Sequence, residues 1–472
     1  MTAVTTDEGR RPPLVLRNRA FGTVWLAQVL TQAAVRMFQV GVSWWLVAYA
    51  VAGGRGLASG LFMAVSTLPA VALAPVVARS VARFAHRSVL RAAAGAAGTA
   101  AAALAVWAYA GGLPLAAAYA ATLALAACQA FFDPCLTTSV PELVDDEDIE
   151  AATGFELSTQ SLASLGGALL GALIVDAAGV AGLAVGCASA YLVAAALITT
   201  VRFRTQTAPG AEDGAEEADG QRSLRGILAG LPFVRRILLC FTAANLFTTA
   251  VFVVIPLYTK SVLADGGSTV ALLEASLGVG TLIGSFTGAR VPGRPTTLGA
   301  WLLTLMGLAL AAPGLFTGRF VFAGCLVVAG WCVGVIGVRF VALFQRLVPT
   351  ADKPGFFAVM QAVLGATFPL ASLLFGLLGD RLSPQTLCLI QAAGLLPAAC
   401  ALALLRDDDA GADGRPGTDD TGSRADVDGH DGHDGTGDAD APADPARTGS
   451  ADEVTRGATS HPSEPVVTGG KR

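Results

Sequence analysis

Apolar residues in this chain run far longer than a soluble helix requires, and polar residues interrupt them at nearly regular intervals. A helix that crosses the hydrocarbon core of a bilayer needs about 20 mostly apolar residues. Twelve runs meet that length, near residues 20–50, 57–80, 88–110, 113–136, 149–178, 180–202, 235–263, 268–290, 295–315, 319–346, 355–380 and 384–405. Some adjoin with almost nothing polar between them, as at Gly111-Gly112 and Gly179. A hairpin in lipid satisfies its backbone hydrogen bonds inside each helix, so short connections suffice.

Two stretches break the pattern. Residues 203–234 contain Pro209-Gly210-Ala211-Glu212-Asp213-Gly214-Ala215-Glu216-Glu217-Ala218-Asp219-Gly220, which holds too little apolar surface to pack and reads as a solvated linker. Residues 406–472 are rich in Asp, Gly, Ala and Thr and read as a disordered acidic tail. The predicted organisation is therefore a segment 1–19, a six-helix half 20–202, the linker 203–234, a second six-helix half 235–405, and the tail. His430 and His433 in the tail read as part of a flexible polar tract rather than a metal site.

Composition agrees with lipid as the solvent. Hydrophobic residues make up 53% of the chain and charged residues only 14%, where a soluble domain carries about 25% charged residues. The net charge of −5 hides a division: residues 406–472 hold 16 acidic against 7 basic residues, which leaves the preceding part at +4. If the N-terminus is cytoplasmic, the inner segments up to residue 405 carry 18 Lys and Arg, and the outer segments carry four: Arg55, Lys260, Arg319 and Arg381. Positive residues favour the cytoplasmic side, and acidic ones count little, so Asp145-Asp146-Glu147-Asp148 in an inner loop does not disturb the assignment. Both termini are expected in the cytoplasm and the body in the plasma (inner) membrane. The first run is too long for a cleaved signal, which carries 7–15 apolar residues. All eight cysteines fall in apolar runs without a C-x-x-C pair, so neither a disulfide frame nor a zinc site is implied.

The two halves echo each other. Arg83 and Arg290 lie 207 positions apart, Val140-Pro141 and Val348-Pro349 lie 208 apart, and Thr159-Gln160 and Met360-Gln361 lie 201 apart, in unchanged order. An internal repeat of six spans suits a transporter whose halves rock about a central site.

Several motifs are specific: Asn18-Arg19-Ala20-Phe21 leading to Trp25-Leu26-Ala27-Gln28, Phe131-Phe132-Asp133-Pro134, Val140-Pro141-Glu142-Leu143-Val144, and Gln345-Arg346-Leu347-Val348-Pro349. With these, residues 17–405 resemble the major facilitator superfamily, and within it the branch of bacterial proton antiporters that export drugs and siderophores, including macrolide and enterobactin exporters. The chain departs from the family's signature loop Gly-x-x-x-Asp-Arg-x-Gly-Arg-Arg. It keeps Arg83 and Arg87, but Ala82 stands where the family has Asp, and both glycines are alanine. The second-half loop keeps Gly288, Arg290, Gly293 and Arg294. The antiporter motif of span five retains Gly167 and Gly171 without its proline.

The resemblance implies an all-helical membrane fold of twelve transmembrane helices in two pseudo-symmetric halves, with spans one, four, seven and ten lining a central cavity. Arg36 lies mid-way along span one, and Arg339 lies seven residues before Arg346, about 10 Å deeper in span ten. With Asn245 they form the expected substrate-binding set, a basic chamber suited to an anionic molecule. Charged groups within a bilayer are costly and so are functional candidates. The expected proton carriers are Glu156, Asp133 and Glu274, because coupling needs a carboxylate whose affinity for protons changes with its surroundings. Arg83, Arg87 and Arg290 are the expected gating-loop residues. Small-residue runs such as Gly166-Gly167-Ala168 and Gly278-Val279-Gly280 read as close helix contacts.

The expected function is secondary-active export of a drug-like molecule or secondary metabolite by proton antiport, by a monomer in the lipid bilayer, with no cofactor, metal, nucleic acid or enzymatic role. An importer of the same architecture, driven by proton symport, and a non-transporting receptor or scaffold remain open at this stage. A membrane enzyme would need clustered carboxylates or histidines in its loops, and no nucleotide-binding Walker sequence is present.

Overall fold

The computed structural model describes residues 14–144, 148–201, 203, 231–349 and 353–405. Asp145, Asp146, Glu147, His430, His433, most of the predicted linker and the predicted tail lie outside these residues, as does the side chain of Glu156.

Among the described residues, regular structure is helical throughout. In chain order the elements are α1 (Leu14–Arg17), α2 (Arg19–Trp45, continued by a π turn Leu46–Ala50), α3 (Arg55–Ala72), α4 (Ala74–Arg83), α5 (His86–Gly111), α6 (Leu115–Leu143) and α7 (Ile149–Thr200). The second half holds α8 (Pro232–Thr249), α9 (Val251–Tyr258, with a π turn Thr259–Leu263), α10 (Gly267–Thr287), α11 (Pro295–Leu315), α12 (Arg319–Leu347), α13 (Lys353–Gly379) and α14 (Pro384–Leu404).

Ten described stretches are long and apolar enough to cross a membrane. The twelve crossings read from sequence appear once two further facts are included. Leu165–Thr200 counts as one stretch, yet Gly179 breaks α7 with φ 68° and ψ −176°, a left-handed φ that favours glycine. And α2 is not among the ten, because Gln28, Gln32, Arg36 and Gln39 recur along it at helical spacing. That polar stripe is what puts α2 at the centre of the molecule.

Local chemistry sets the helix ends. Asn18 caps α2 by accepting from Phe21 N–H at 3.1 Å, and its own amide donates to the Leu143 carbonyl at the end of α6 at 2.8 Å. The motifs around Asn18 and Val140 are thus joined in space. Proline occupies the first turn of α8, α11 and α14, where its missing N–H has no helical partner to lose. Within each half, glycines bring helix axes close. Gly171 on α7 lies against the Met37 carbonyl of α2, and Gly280 and Gly284 on α10 lie against the Val327 and Trp331 carbonyls of α12. Large apolar side chains such as Val106, Trp301, Phe286 and Phe320 remain exposed, as a lipid-covered surface allows.

Candidate functional site

The two halves meet closely at one end of the bundle, the end that holds Arg55, Asp176, Gly267 and Asp380. Here α3 of the first half packs on α13 of the second. Gly56 and Gly60 lie against the carbonyls of Gly376 and Ser372, so that a Cβ at either glycine would collide with backbone. Gly267 on α10 lies in the same way against the Ala172 carbonyl of α7.

Two carboxylates lock this end. Asp380, just beyond α13, accepts from the N–H groups of Gly56 at 2.7 Å and Leu57 at 3.0 Å, in the first turn of α3. Asp176, on α7 before the Gly179 break, accepts from Gly267 N–H at the start of α10, from Trp44 Nε1 at 2.6 Å and from Tyr49 Oη at 2.8 Å. The first N–H groups of a helix lack internal partners and carry the positive end of its dipole, so a carboxylate there is doubly favourable. The bonds from Gly267, Gly56 and Leu57 join opposite halves, those from Trp44 and Tyr49 hold Asp176 within its own half, and the two aspartates lie 204 positions apart, within the spacing of the repeat. The latch is therefore two-fold: the end of span five caps the start of span eight, and the end of span eleven caps the start of span two.

At the opposite, arginine-rich end the corresponding polar contacts stay within one half. Arg17 pairs with Asp148, His86 Nδ1 meets Glu142 Oε1 at 2.6 Å, and Arg87 donates to the Thr199 carbonyl. Arg339 Nη2 donates to the Gly293 carbonyl at 2.8 Å. Arg83 is exposed, with its guanidinium 5.9 Å from the Phe84 ring centroid, and Arg290 is exposed on a 3-10 turn after α10.

Between the ends, one ion pair crosses from half to half. Arg36 on α2 reaches Glu274 on α10, Nη2 to Oε2 at 3.1 Å, and holds Gln39 Oε1 at 3.2 Å through Nη1. Its guanidinium lies 4.7 Å from the centroid of the Phe252 ring. Glu274 is buried, with its side chain 4% exposed against 22% for Arg36. A charge so placed needs a partner, because removing one member of a buried pair leaves the other uncompensated.

Each half also borders a partly open cavity, and the walls of the two differ. The first-half cavity, about 250 Å³, is bordered by Gln39, Ser66, Thr122, Gln129, Asp133 and Tyr191. Gln32 Nε2 donates to Asp133 Oδ1 at 2.7 Å, and Gln129 donates to the same oxygen. The Tyr191 hydroxyl is buried and has no hydrogen-bond partner among the described residues. The second-half cavity, about 310 Å³, is walled by Phe241, Phe340, Phe344, Met306 and Met360, with Asn245 and Gln361 as polar members. Asn245 is engaged there, donating to Thr367 Oγ1 at 2.6 Å and to the Leu364 carbonyl at 3.1 Å.

The residues expected from sequence are thus distributed rather than gathered. Arg36, Asn245 and Arg339 do not share a chamber: Arg36 is paired with Glu274, Asn245 borders the aromatic cavity, and Arg339 braces the Gly293 turn. A side chain about 10 Å along a helix from Arg346 has the reach to bond the turn beside it, which the depth argument alone ignores. Asp133 and Glu274 occupy separate polar sites. Sequence reasoning missed Gln32, Gln39, Gln129, Tyr191, Asp176 and Asp380. The stripe on α2 and the four-residue spacing of Gln129 and Asp133 were available signals for the glutamines; for Asp176 and Asp380 the available signal was their acidic character at matching positions of the repeat.

Residues 24–312 match the family model described as Major Facilitator Superfamily. Among solved structures, a D-xylose–proton symporter is similar at 12% identity, with a TM-score of 0.63 over 81% of this chain and 96% of that one. A bacterial homologue of the iron transporter ferroportin in an inward-facing state is similar at 15% identity, with a TM-score of 0.60 over 84% and 99%. A bacterial metal transporter is similar at 16% identity, with a TM-score of 0.57 over 82% and 98%. No curated protein matches the sequence.

Proposed function

The chain belongs to the major facilitator superfamily, and from that premise we propose that it is a secondary-active exporter of a small drug-like molecule or secondary metabolite, driven by proton antiport through alternating access. The observation that carries this reading is the Arg36–Glu274 pair between halves. Rocking the halves apart at this level would leave Glu274 as an unpaired carboxylate away from water, at a cost of several kcal/mol. A proton on Glu274 removes that charge, frees Arg36 and lets the halves separate. Proton binding and the change of access are then one event.

The arginine-rich end is assigned to the cytoplasm by the excess of basic residues on that side. The latched end then faces outward, and we read the described conformation as closed to the outside. Outward transport follows the resemblance to the exporter branch. Glu156 is retained as a secondary proton site on α7, and the altered loop at Ala82 is supported by a different tie, His86 to Glu142.

The test uses inverted membrane vesicles carrying a pH-sensitive dye and an acidic lumen. Neutral, cationic and anionic compounds are added in turn. A substrate should discharge the pH gradient with wild-type protein and fail to do so with Glu274→Gln. Discharge that survives Glu274→Gln overturns the coupling role. Accumulation of the same compound in intact cells overturns export in favour of import.

A further inference from the structure

Helix α10 presents three sides with different neighbours. Val279, Ile283 and Phe286 are exposed on a side that lipid covers. Gly280 and Gly284 lie against carbonyls of α12. Glu274, Gly278, Thr281 and Ser285 follow one another at spacings of four, three and four, and so line up along the third side. That side borders a partly open cavity of about 380 Å³, which Arg36 of α2 and Leu165 of α7 also line. Arg36 and Glu274 are the charged residues at its border.

Exposure is graded along this side. Ser285 is exposed, Thr281 and Gly278 are half-buried, and Glu274 is buried. By helix rise, Thr281 stands about 10 Å and Ser285 about 16 Å from Glu274, both toward Arg290 and the end assigned to the cytoplasm.

The two hydroxyls are set to accept. Thr281 Oγ1 donates to the Leu277 carbonyl and Ser285 Oγ to the Thr281 carbonyl, each at 2.9 Å. Each hydrogen is thus committed, and each oxygen keeps lone pairs for a further donor. Such back-bonding would satisfy a hydroxyl anywhere on the helix; it does not account for their alignment with Glu274. Water is held where a space is polar and roomy, at roughly 30 Å³ per molecule. Gly278 keeps the space open between Thr281 and Glu274, since a Cβ there would come within 3.0 Å of Leu165 Cδ1. The fold does not require a polar side here. The 207-residue offset of the repeat puts Thr67, Val71, Ala74 and Ala78 of span two at the equivalent positions, and the two alanines carry no hydroxyl.

We propose that this side of α10 is the aqueous path by which Glu274 gives up its proton to the cytoplasm, with Thr281 and Ser285 positioning the water. The carboxyl O–H bond breaks as a water takes the proton. The proton then passes from water to water toward Ser285, and the carboxylate left behind is met by Arg36. The direction of the proton rests on the transport reading; the aqueous path itself does not.

The experiment uses full-length protein with its eight native cysteines replaced, in inverted vesicles whose cytoplasmic face is outermost. Single cysteines are treated with an impermeant methanethiosulfonate reagent bearing a trimethylammonium head. A thiol must ionise to react, and apolar surroundings oppose this, so Thr281→Cys and Ser285→Cys should react at least about tenfold faster than Val279→Cys and Ile283→Cys, which flank Thr281 on the lipid side. Thr281→Val should slow discharge of the pH gradient, by a compound that discharges it with wild-type protein, about tenfold, as for one lost hydrogen bond. Thr281→Ser keeps the hydroxyl and should discharge at the wild-type rate, an outcome that packing alone would not produce. Thr281→Cys reacting no faster than Ile283→Cys overturns the path, whatever transport does. Thr281→Val discharging at the wild-type rate, while Glu274→Gln discharges nothing, overturns the path and leaves Glu274 as the carrier. If the labelling is as expected and no compound discharges the gradient, the antiport reading fails and the aqueous path stands.

Discussion

Removing the Asp380 carboxylate should open the latched end. Asp380 accepts two backbone N–H bonds, at 2.7 and 3.0 Å, from the first turn of α3 in the opposite half. Replacing a side-chain cap at a helix N-terminus with alanine costs about 0.5–2 kcal/mol, and the dipole adds about 0.3–1 kcal/mol when a charge is lost. The bonds exist only while this end is closed, so the loss falls on the closed conformation alone. A penalty of about 2 kcal/mol lowers the ratio of inward-open to outward-open molecules roughly 30-fold. The assay is a pulsed electron–electron distance measurement between nitroxides at Tyr109→Cys and Phe316→Cys, exposed positions on opposite halves near this end, with the eight native cysteines replaced. Asp380→Ala should raise the ratio of long- to short-distance populations by that factor. Asp176→Ala should act in the same direction, and the double variant should show the sum of the two free energies, because separated sites behave additively. An unchanged distance distribution in Asp380→Ala would refute the latch, whatever transport does.

Other consequences follow from the same contacts. Gly60→Val places a side chain against the Ser372 carbonyl, so transport should fall to background while the protein still folds, as judged by size-exclusion and thermal melting in detergent. Arg36→Ala leaves Glu274 buried without its partner and should destabilise the protein by about 3 kcal/mol, the low end for a broken buried pair. Glu274→Gln should cost less, and the double variant Arg36→Ala/Glu274→Gln should recover part of the lost melting temperature; failure to recover any would mean the pair is not coupled. His86→Ala removes the partner of Glu142 at the head of α5 and should raise amide exchange at residues 84–90.

The fold was largely legible because its causes are local and repeated. Run length and the charge asymmetry of the loops come from one requirement, that a helix in lipid close its own hydrogen bonds and keep its charges at the ends, and the 207-residue echo comes from the repetition of one six-span half. Even the polarity of α2, which keeps it out of the plainly apolar spans, was written in Gln28, Gln32, Arg36 and Gln39. The site was less legible. Burial costs flag ionisable residues one at a time, and so Arg36, Glu274 and Asp133 were found singly. Nothing in one sequence says that Arg36 meets Glu274 across 238 positions rather than a substrate, or that Arg339 turns back to the Gly293 carbonyl. Asp176 and Asp380 sit at helix C-termini, where a negative charge is locally unfavourable; only the opposing N-termini of α10 and α3 explain them. Such partners belong to the arrangement of the two halves, not to the spans.

The central claim is that a proton on Glu274 couples the two halves, and coupling separates from transport in reconstituted proteoliposomes. Uptake of a probe substrate identified by the vesicle assay, less its uptake by protein-free liposomes, is followed with and without an imposed pH gradient, at a membrane potential clamped to zero. Wild-type protein should concentrate the probe against its own gradient when the proton gradient is present. Glu274→Gln should still equilibrate the probe but should not concentrate it under either condition. Concentrative uptake by Glu274→Gln equal to that of wild type would contradict the account.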